Sequence, residues 1–185
     1  SNQSAFDLAM QTSDRLRQIV PPATEAGSVI RDAAVFRDNV LRNALTTASL
    51  AAIRTGRYGE AEAAARERQT LPPNPYSELD PRDEKSRAQV TLAHAIVLQG
   101  RFADARQVTE TEVARYRDEL QGGASGLSFT KDFAYALYVD ALARPAGDSR
   151  RAANLAEASK QLNSLSAEAN QLLDIRELRG WIAAA

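Results

Sequence analysis

The chain has 185 residues and a formal charge of −1 from 23 basic and 24 acidic side chains, with one histidine and no cysteine. That length can bury a core without metal or disulfide staples, and the missing cysteine excludes disulfides, thiolate nucleophiles and zinc-thiolate sites while fitting a reducing or an oxidising compartment equally. Both charge signs are spread along the chain without the basic block a nucleic-acid binder needs, and the longest apolar run, "VTLAHAIVL", is far short of the roughly 20 residues that cross a bilayer.

Alanine fills 35 positions, and 20 of the 23 basic residues are arginine, a bias common in GC-rich bacterial genomes. Alanine at that density, with sparse Gly and Pro and no strand-like alternation, makes the chain all-α. The opening Ser1-Asn2, ahead of an only methionine at Met10, reads as a tag remnant.

The first predicted helix runs from about Ser4 to Val20, with Phe6, Met10, Leu16 and Ile19 or Val20 near one face, and stops at Pro21-Pro22. The second runs from about Ser28 to Thr55, with Val29, Ala33, Phe36, Val40, Ala44, Ala48 and Ala51 at helical spacing. The third, Tyr58 to Thr70, gives way to the proline-rich "LPPNPYSELDP". Asp80 then caps a fourth helix, about 81 to 99, with Pro81 at its first turn. It is almost wholly apolar from Val90 to Leu98 and should be covered on most sides.

A fifth helix, about 102 to 120, ends at the linker "QGGASGLS", and a sixth, about 129 to 144, carries Phe129, Phe133, Tyr135 and Tyr138. After "RPAGD", Asp148 caps a seventh helix to about Leu162 and Ser166 an eighth. Leu165, Ala169, Leu172, Ile175, Leu178 and Ile182 form a single stripe there, suited to an end cap.

"GRYGEA" at 56–61 and "GRFADA" at 100–105 are one hexapeptide written twice, 44 residues apart. A tight turn between two helices needs a residue that accepts positive φ, which Gly56 and Gly100 supply; Tyr58 and Phe102 then fill the wedge, and Ala61 and Ala105 allow close backbone approach.

With Leu45, Ala48, Ser49 and Ala52 before the first corner, and Leu92, Ala93 and Ile96 before the second, the pattern resembles the tetratricopeptide repeat (TPR) family. Gln89, Arg68 and Glu112 depart from its consensus, and the period exceeds the usual length of about 34. Gly147, Ala152 and Ala156 suggest a third unit. The resemblance implies one helical domain over 1–185, a right-handed stack of antiparallel helix pairs with about eight helices. Residues 1–40 would be the N-terminal helix and lead-in, 41–163 two to three repeat units and 164–185 a capping helix.

Chemistry-bearing motifs are few. A single histidine, His94, lies on an apolar helix and reads as packed; "SFTK" (128–131) lacks the partner triplets of Ser-x-x-Lys acyl enzymes; "GGASG" lacks the preceding strand of a phosphate loop; the carboxylates of "TETE" (109–112) read as a solvated face; and the mixed charges of "DPRDEKSR" need no ligand. No cofactor or metal is expected.

The resemblance implies a groove lined by first-helix residues: Asn43, Thr46, Thr47, Leu50 and Arg54 from the first copy, and Arg87, Val90, Thr91, His94 and Leu98 from the second, joined by Tyr135 and Tyr138. The Lys and Asn that clamp a peptide carboxyl terminus in some family members are replaced by Thr46 and Leu50. The expected function is therefore non-enzymatic binding of a peptide or protein segment, with small-molecule sensing in the same groove as the alternative. Neither nucleic acid nor membrane is an expected partner, and self-association is compatible with the pattern.

Overall fold

The computed structural model describes residues 1–19, 28–75 and 80–185, and of 28–32 the backbone alone. Eight α-helices, packed consecutively in adjacent pairs, account for the described fold: α1 (Asn2–Gln18), α2 (Ser28–Arg54), α3 (Tyr58–Thr70), α4 (Pro81–Leu98), α5 (Phe102–Gln121), α6 (Leu127–Leu142), α7 (Ser149–Asn163) and α8 (Leu173–Ala184), with a 3₁₀ turn at Ala169–Gln171. Among the described residues there is no strand. The expected stop at Pro21-Pro22, the placements of Val20 and Val29, and positions 76–79 of the proline-rich loop lie outside what is described.

The sequence reads as one domain; the contacts gather into two compact units, Ser1–Ala95 and Ile96–Ala185, divided within α4. In the first unit α1 packs on α2 and α2 on α3. The core is small-residue packing: Phe6 and Ala9 from α1, Leu41, Leu45, Ala48 and Ala52 from α2, and Ala61, Ala64 and Ala65 from α3 are all buried. Leu45 is fully covered, a burial that contributes roughly 1.5–3 kcal/mol. The alanines contribute less each, but they let backbones approach closely. The Arg17 guanidinium also ties α1 to α3 through the Glu67 carboxylate, with Nε 2.8 Å from Oε1.

Two stripes differ from the sequence reading. On α1 the buried positions are Phe6, Ala9 and Ser13, while Ile19 is 52 % exposed. Ser13 tolerates burial because its hydroxyl donates to the Ala9 carbonyl at 2.9 Å. On α2, Ala33 and Phe36 are exposed, and the buried positions among the described side chains begin at Leu41. On α4 every residue from Val90 to Val97 is buried, as its continuous apolar run requires.

Both repeated corners are the same hydrogen-bonded cap. Gly56 has φ 76° and Gly100 φ 79°. The amide of Arg57 donates to the Ala52 carbonyl (2.9 Å) and that of Gly56 to Ile53 (3.3 Å); Arg101 donates to Ile96 (3.3 Å) and Gly100 to Val97 (2.9 Å). This paired 6→1 and 5→2 pattern is the Schellman motif, which satisfies carbonyls a helix end would otherwise leave bare. Ala61 and Ala105, one turn on, have no exposed surface. Phe102, the first residue of α5, does not fill a wedge: it is 50 % exposed. Tyr58 is half-buried.

In the second unit α5 packs on α6, α6 on α7, and α8 on α7 and α6. The "GGASG" stretch is not a plain linker. Gly123 (φ 90°) closes α5 with the same two bonds, Ala124 to Glu119 and Gly123 to Leu120, and Gly126 sits at the start of α6. The aromatic cluster of α6 divides: Phe133 stacks on Tyr116 of α5 at 5.6 Å with Phe129 edge-on to the same ring, while Tyr138 stacks on Trp181 of α8 at 6.0 Å.

The third corner departs from the first two. Arg144 stands where α2 and α4 place their glycine, and Pro145 follows with no amide to give the 6→1 bond. Gly147 has no positive φ, and a turn closed by Asp148 N–H to the Pro145 carbonyl (3.0 Å) leads into α7. This six-residue connection shifts the phase of α7: Ala152 and Ala156 are exposed, and Asn154, Ala158 and Leu162 are buried. Asp148 caps α7 as expected, accepting from the Arg150 amide at 2.8 Å.

The terminal stripe is shortened. Ser166 Oγ accepts from the Ala169 amide, giving one 3₁₀ turn, and Leu172 is extended (ψ 136°), so the helical phase restarts at Leu173. Ile175, Leu178 and Ile182 are buried, whereas Leu172 and Leu173 are 44 % and 80 % exposed.

Candidate functional site

Two places concentrate polar side chains. The first is the outward stripe of α2. Asn43, Thr47, Leu50 and Arg54 recur at four-, three- and four-residue spacing and so share one helix face. Asn43, Thr47 and Arg54 are exposed and Leu50 is half-buried, opposite the face that buries Leu41, Leu45, Ala48 and Ala52. Thr46 is half-buried and donates its hydroxyl to the Arg42 carbonyl at 2.8 Å.

The other expected lining residues are covered. Arg87 is half-buried, Thr91 is buried with its hydroxyl on the Arg87 carbonyl (2.8 Å), and His94 is buried. Burial holds the His94 imidazole down at about 3, so it is neutral at ordinary pH. Tyr138, in the second unit, is buried against Trp181, and burial raises its phenol pKa against the opposing charge of Arg151.

The second place, which the sequence reading missed, is a polar cluster around Asp140 of α6, a buried residue whose carboxylate is fully served. Thr109 Oγ1 of α5 donates to Oδ1 at 2.6 Å, Asn154 Nδ2 of α7 to Oδ2 at 2.6 Å, and Arg144 Nε to Oδ2 at 2.7 Å. One carboxylate thus joins α5, α6 and α7 through charge-assisted bonds. Arg144 also reaches Glu110 Oε1 with Nη2 at 2.7 Å, and these partners raise its pKa, the Asp140 bond foremost. The available signal was Asp140 itself, a lone carboxylate in the apolar run "FAYALYVDALA" with an arginine four residues on.

A cleft of about 430 Å³ opens over this cluster, with Val113 and Ala114 of α5 and Ala153 of α7 as apolar wall. Arg117, Arg144 and Arg150 also line it. A second hollow, about 470 Å³, lies between α7 and α8 beside Leu155, Leu162 and Ile182. Its one charged residue, Arg179, is occupied by Asn163 Oδ1, the Leu162 carbonyl and Asn170 Oδ1 at 2.7, 2.7 and 2.8 Å.

The remaining motifs resolve into structure. Lys131 of "SFTK" is held by Asp174 at 2.8 Å. The "TETE" carboxylates divide: Glu110 is exposed as expected, whereas Glu112 is buried against Arg115 (3.2 Å), because the face of α5 containing Ala105, Thr109 and Val113 includes it. In "DPRDEKSR", Asp80 caps α4 by accepting from the Arg82 amide (2.8 Å), and Glu84 lies 3.6 Å from Arg42. Among the described residues no group of three His, Cys, Asp or Glu could hold a metal, and no helix is long and apolar enough to cross a membrane.

No family model matches the chain, and neither does any curated protein or solved structure.

Proposed function

We propose that the chain is a TPR-type helical module, without a catalytic step of its own, that binds a peptide or protein segment along its first-helix face. The observation that carries this reading is the α2 stripe: Asn43, Thr47 and Arg54 stay in solvent on one face of a helix whose opposite face is packed. A regular helix face offering an amide, a hydroxyl, a guanidinium and the partly covered Leu50 can hold a segment through one apolar pocket and a few hydrogen bonds. The matched corners at Gly56 and Gly100 support the repeat reading independently.

The test is a displayed random-peptide library selected on the purified chain, with binding of the winners remeasured on a Thr47→Glu/Arg54→Glu variant of unchanged melting temperature. Both side chains are exposed, so the variant should fold. At least tenfold weaker binding is expected; equal affinity for the two proteins removes α2 as the binding face.

A further inference from the structure

The cleft over Asp140 holds more guanidinium donors than its own carboxylates use. Arg144 is 94 % buried by residue; its Nε and Nη2 are committed to Asp140 and Glu110, but its Nη1 meets only Asp148 Oδ2, at 3.7 Å, beyond hydrogen-bonding length. Arg150 makes no side-chain hydrogen bond among the described residues, its nearest carboxylate being Glu110 at 3.9 Å. Arg117 uses Nη2 for both Asn154 Oδ1 (3.0 Å) and Glu157 (2.5 Å), and its Nε and Nη1 donate to nothing described. Three guanidinium groups therefore present unused N–H donors to one hollow, one of them from its buried floor.

The charge inventory selects the ligand. Three arginines and the carboxylates of Glu110 and Asp140 line the cleft, and Asp148 and Glu157 stand beside it, so four carboxylates face three guanidinium groups and an anion is held by directed N–H donors, not by net charge. A phosphate dianion would face four nearby carboxylates. A carboxylate brings one negative charge and a planar pair of acceptors that matches the guanidinium fork. Its aliphatic stem would lie on Val113, Ala114 and Ala153.

We propose that this cleft is a carboxylate-binding site, taking the acid group of a small aliphatic dicarboxylate or of an acidic side chain in a peptide. It lies in the second unit and does not depend on the α2 face.

The test is titration of the full chain, isotopically labelled in arginine, with glutarate, with an end-blocked tripeptide centred on Glu, with its Gln counterpart and with inorganic phosphate. The expected result is saturable shifts of the Arg144 and Arg117 side-chain signals with glutarate or the Glu peptide. Each of Arg117→Gln and Arg150→Gln should weaken binding at least tenfold, while Arg66→Gln, an exposed arginine of α3 in neither site, leaves it unchanged. Tighter binding of glutarate than of the Glu peptide assigns the source to a small acid, and the reverse order to a peptide. Equal binding of the Glu and Gln peptides, preference for phosphate, absence of saturable binding, or insensitivity to both arginine variants overturns the proposal.

Discussion

Asp140 and Arg144 form an ion pair one helical turn apart, Nε to Oδ2 at 2.7 Å, with side chains only 2 % and 5 % exposed. Burying two charges costs desolvation energy that their attraction repays only when the remaining hydrogen-bonding capacity is also met. Thr109 and Asn154 meet it for the Asp140 carboxylate, and Glu110 takes a further Arg144 donor, so the cluster fixes how α5, α6 and α7 meet.

Arg144→Met is accordingly expected to destabilise by about 3–5 kcal/mol, since it strands the Asp140 carboxylate. Asp140→Leu/Arg144→Met should recover part of that loss, though not all, because Thr109 and Asn154 then lose their shared acceptor. Urea unfolding of both variants and of Asp140→Leu completes the cycle. A double variant less stable than Arg144→Met would contradict the account.

The paired corners yield a backbone prediction. At Gly56 and Gly100 an added Cβ would meet nothing within 4 Å, so the cost of a side chain there is the positive φ alone. Gly56→Val and Gly100→Val should each lose roughly 1–3 kcal/mol. Asn at either site should lose less, since it tolerates the left-handed region. Gly147→Ala, with no positive φ and open space around it, is the control and should leave the melting temperature unchanged. Thermal unfolding of the five variants reads this directly.

Close packing after the corners predicts an asymmetry between alanines. Ala105 is fully covered, and replacing it with Arg forces a long charged chain into a filled space, at a cost of about 1–3 kcal/mol or more. Ala152, which the sequence pairs with it, is exposed, so Ala152→Arg should fall within about 0.5 kcal/mol of the parent. Equal losses at the two positions would return Ala152 to the packed face.

The contrast between those alanines marks how far the sequence could be read. Helix composition, proline breaks and the repeated hexapeptide identify the eight helices and both glycine corners, because these are local properties of the chain. Phase is not local: lengthening one turn by three residues moved the buried stripe of α7 from Ala152 and Ala156 to Asn154 and Ala158. The α2 stripe came from the family resemblance; helical spacing accounts only for Asn43, Thr47, Leu50 and Arg54 sharing one face. The Asp140 cluster was not legible, because Thr109, Glu110 and Asn154 reach it from other helices, 14 to 31 residues away along the chain.

The last prediction concerns pH. His94 is 2 % exposed, and burial lowers its pKa from 6.5 to about 3. The folded chain keeps the imidazole neutral where the unfolded chain protonates it, so its contribution to stability is complete above about pH 6.5 and declines as pH falls toward 3. The slope approaches about 1.4 kcal/mol per pH unit. No other side chain type titrates between about pH 5.5 and 6.5 by its ordinary value, and the chain has a single histidine. Between pH 7.5 and 5.5 the parent should lose about 1.4 kcal/mol, measured by urea unfolding at each pH, whereas His94→Gln should lose almost none. The comparison is of slopes, so a lower absolute stability of the variant does not disturb it. Parallel pH profiles for the two proteins would mean that His94 titrates as it does in water, and hence that α4 is not covered at this position.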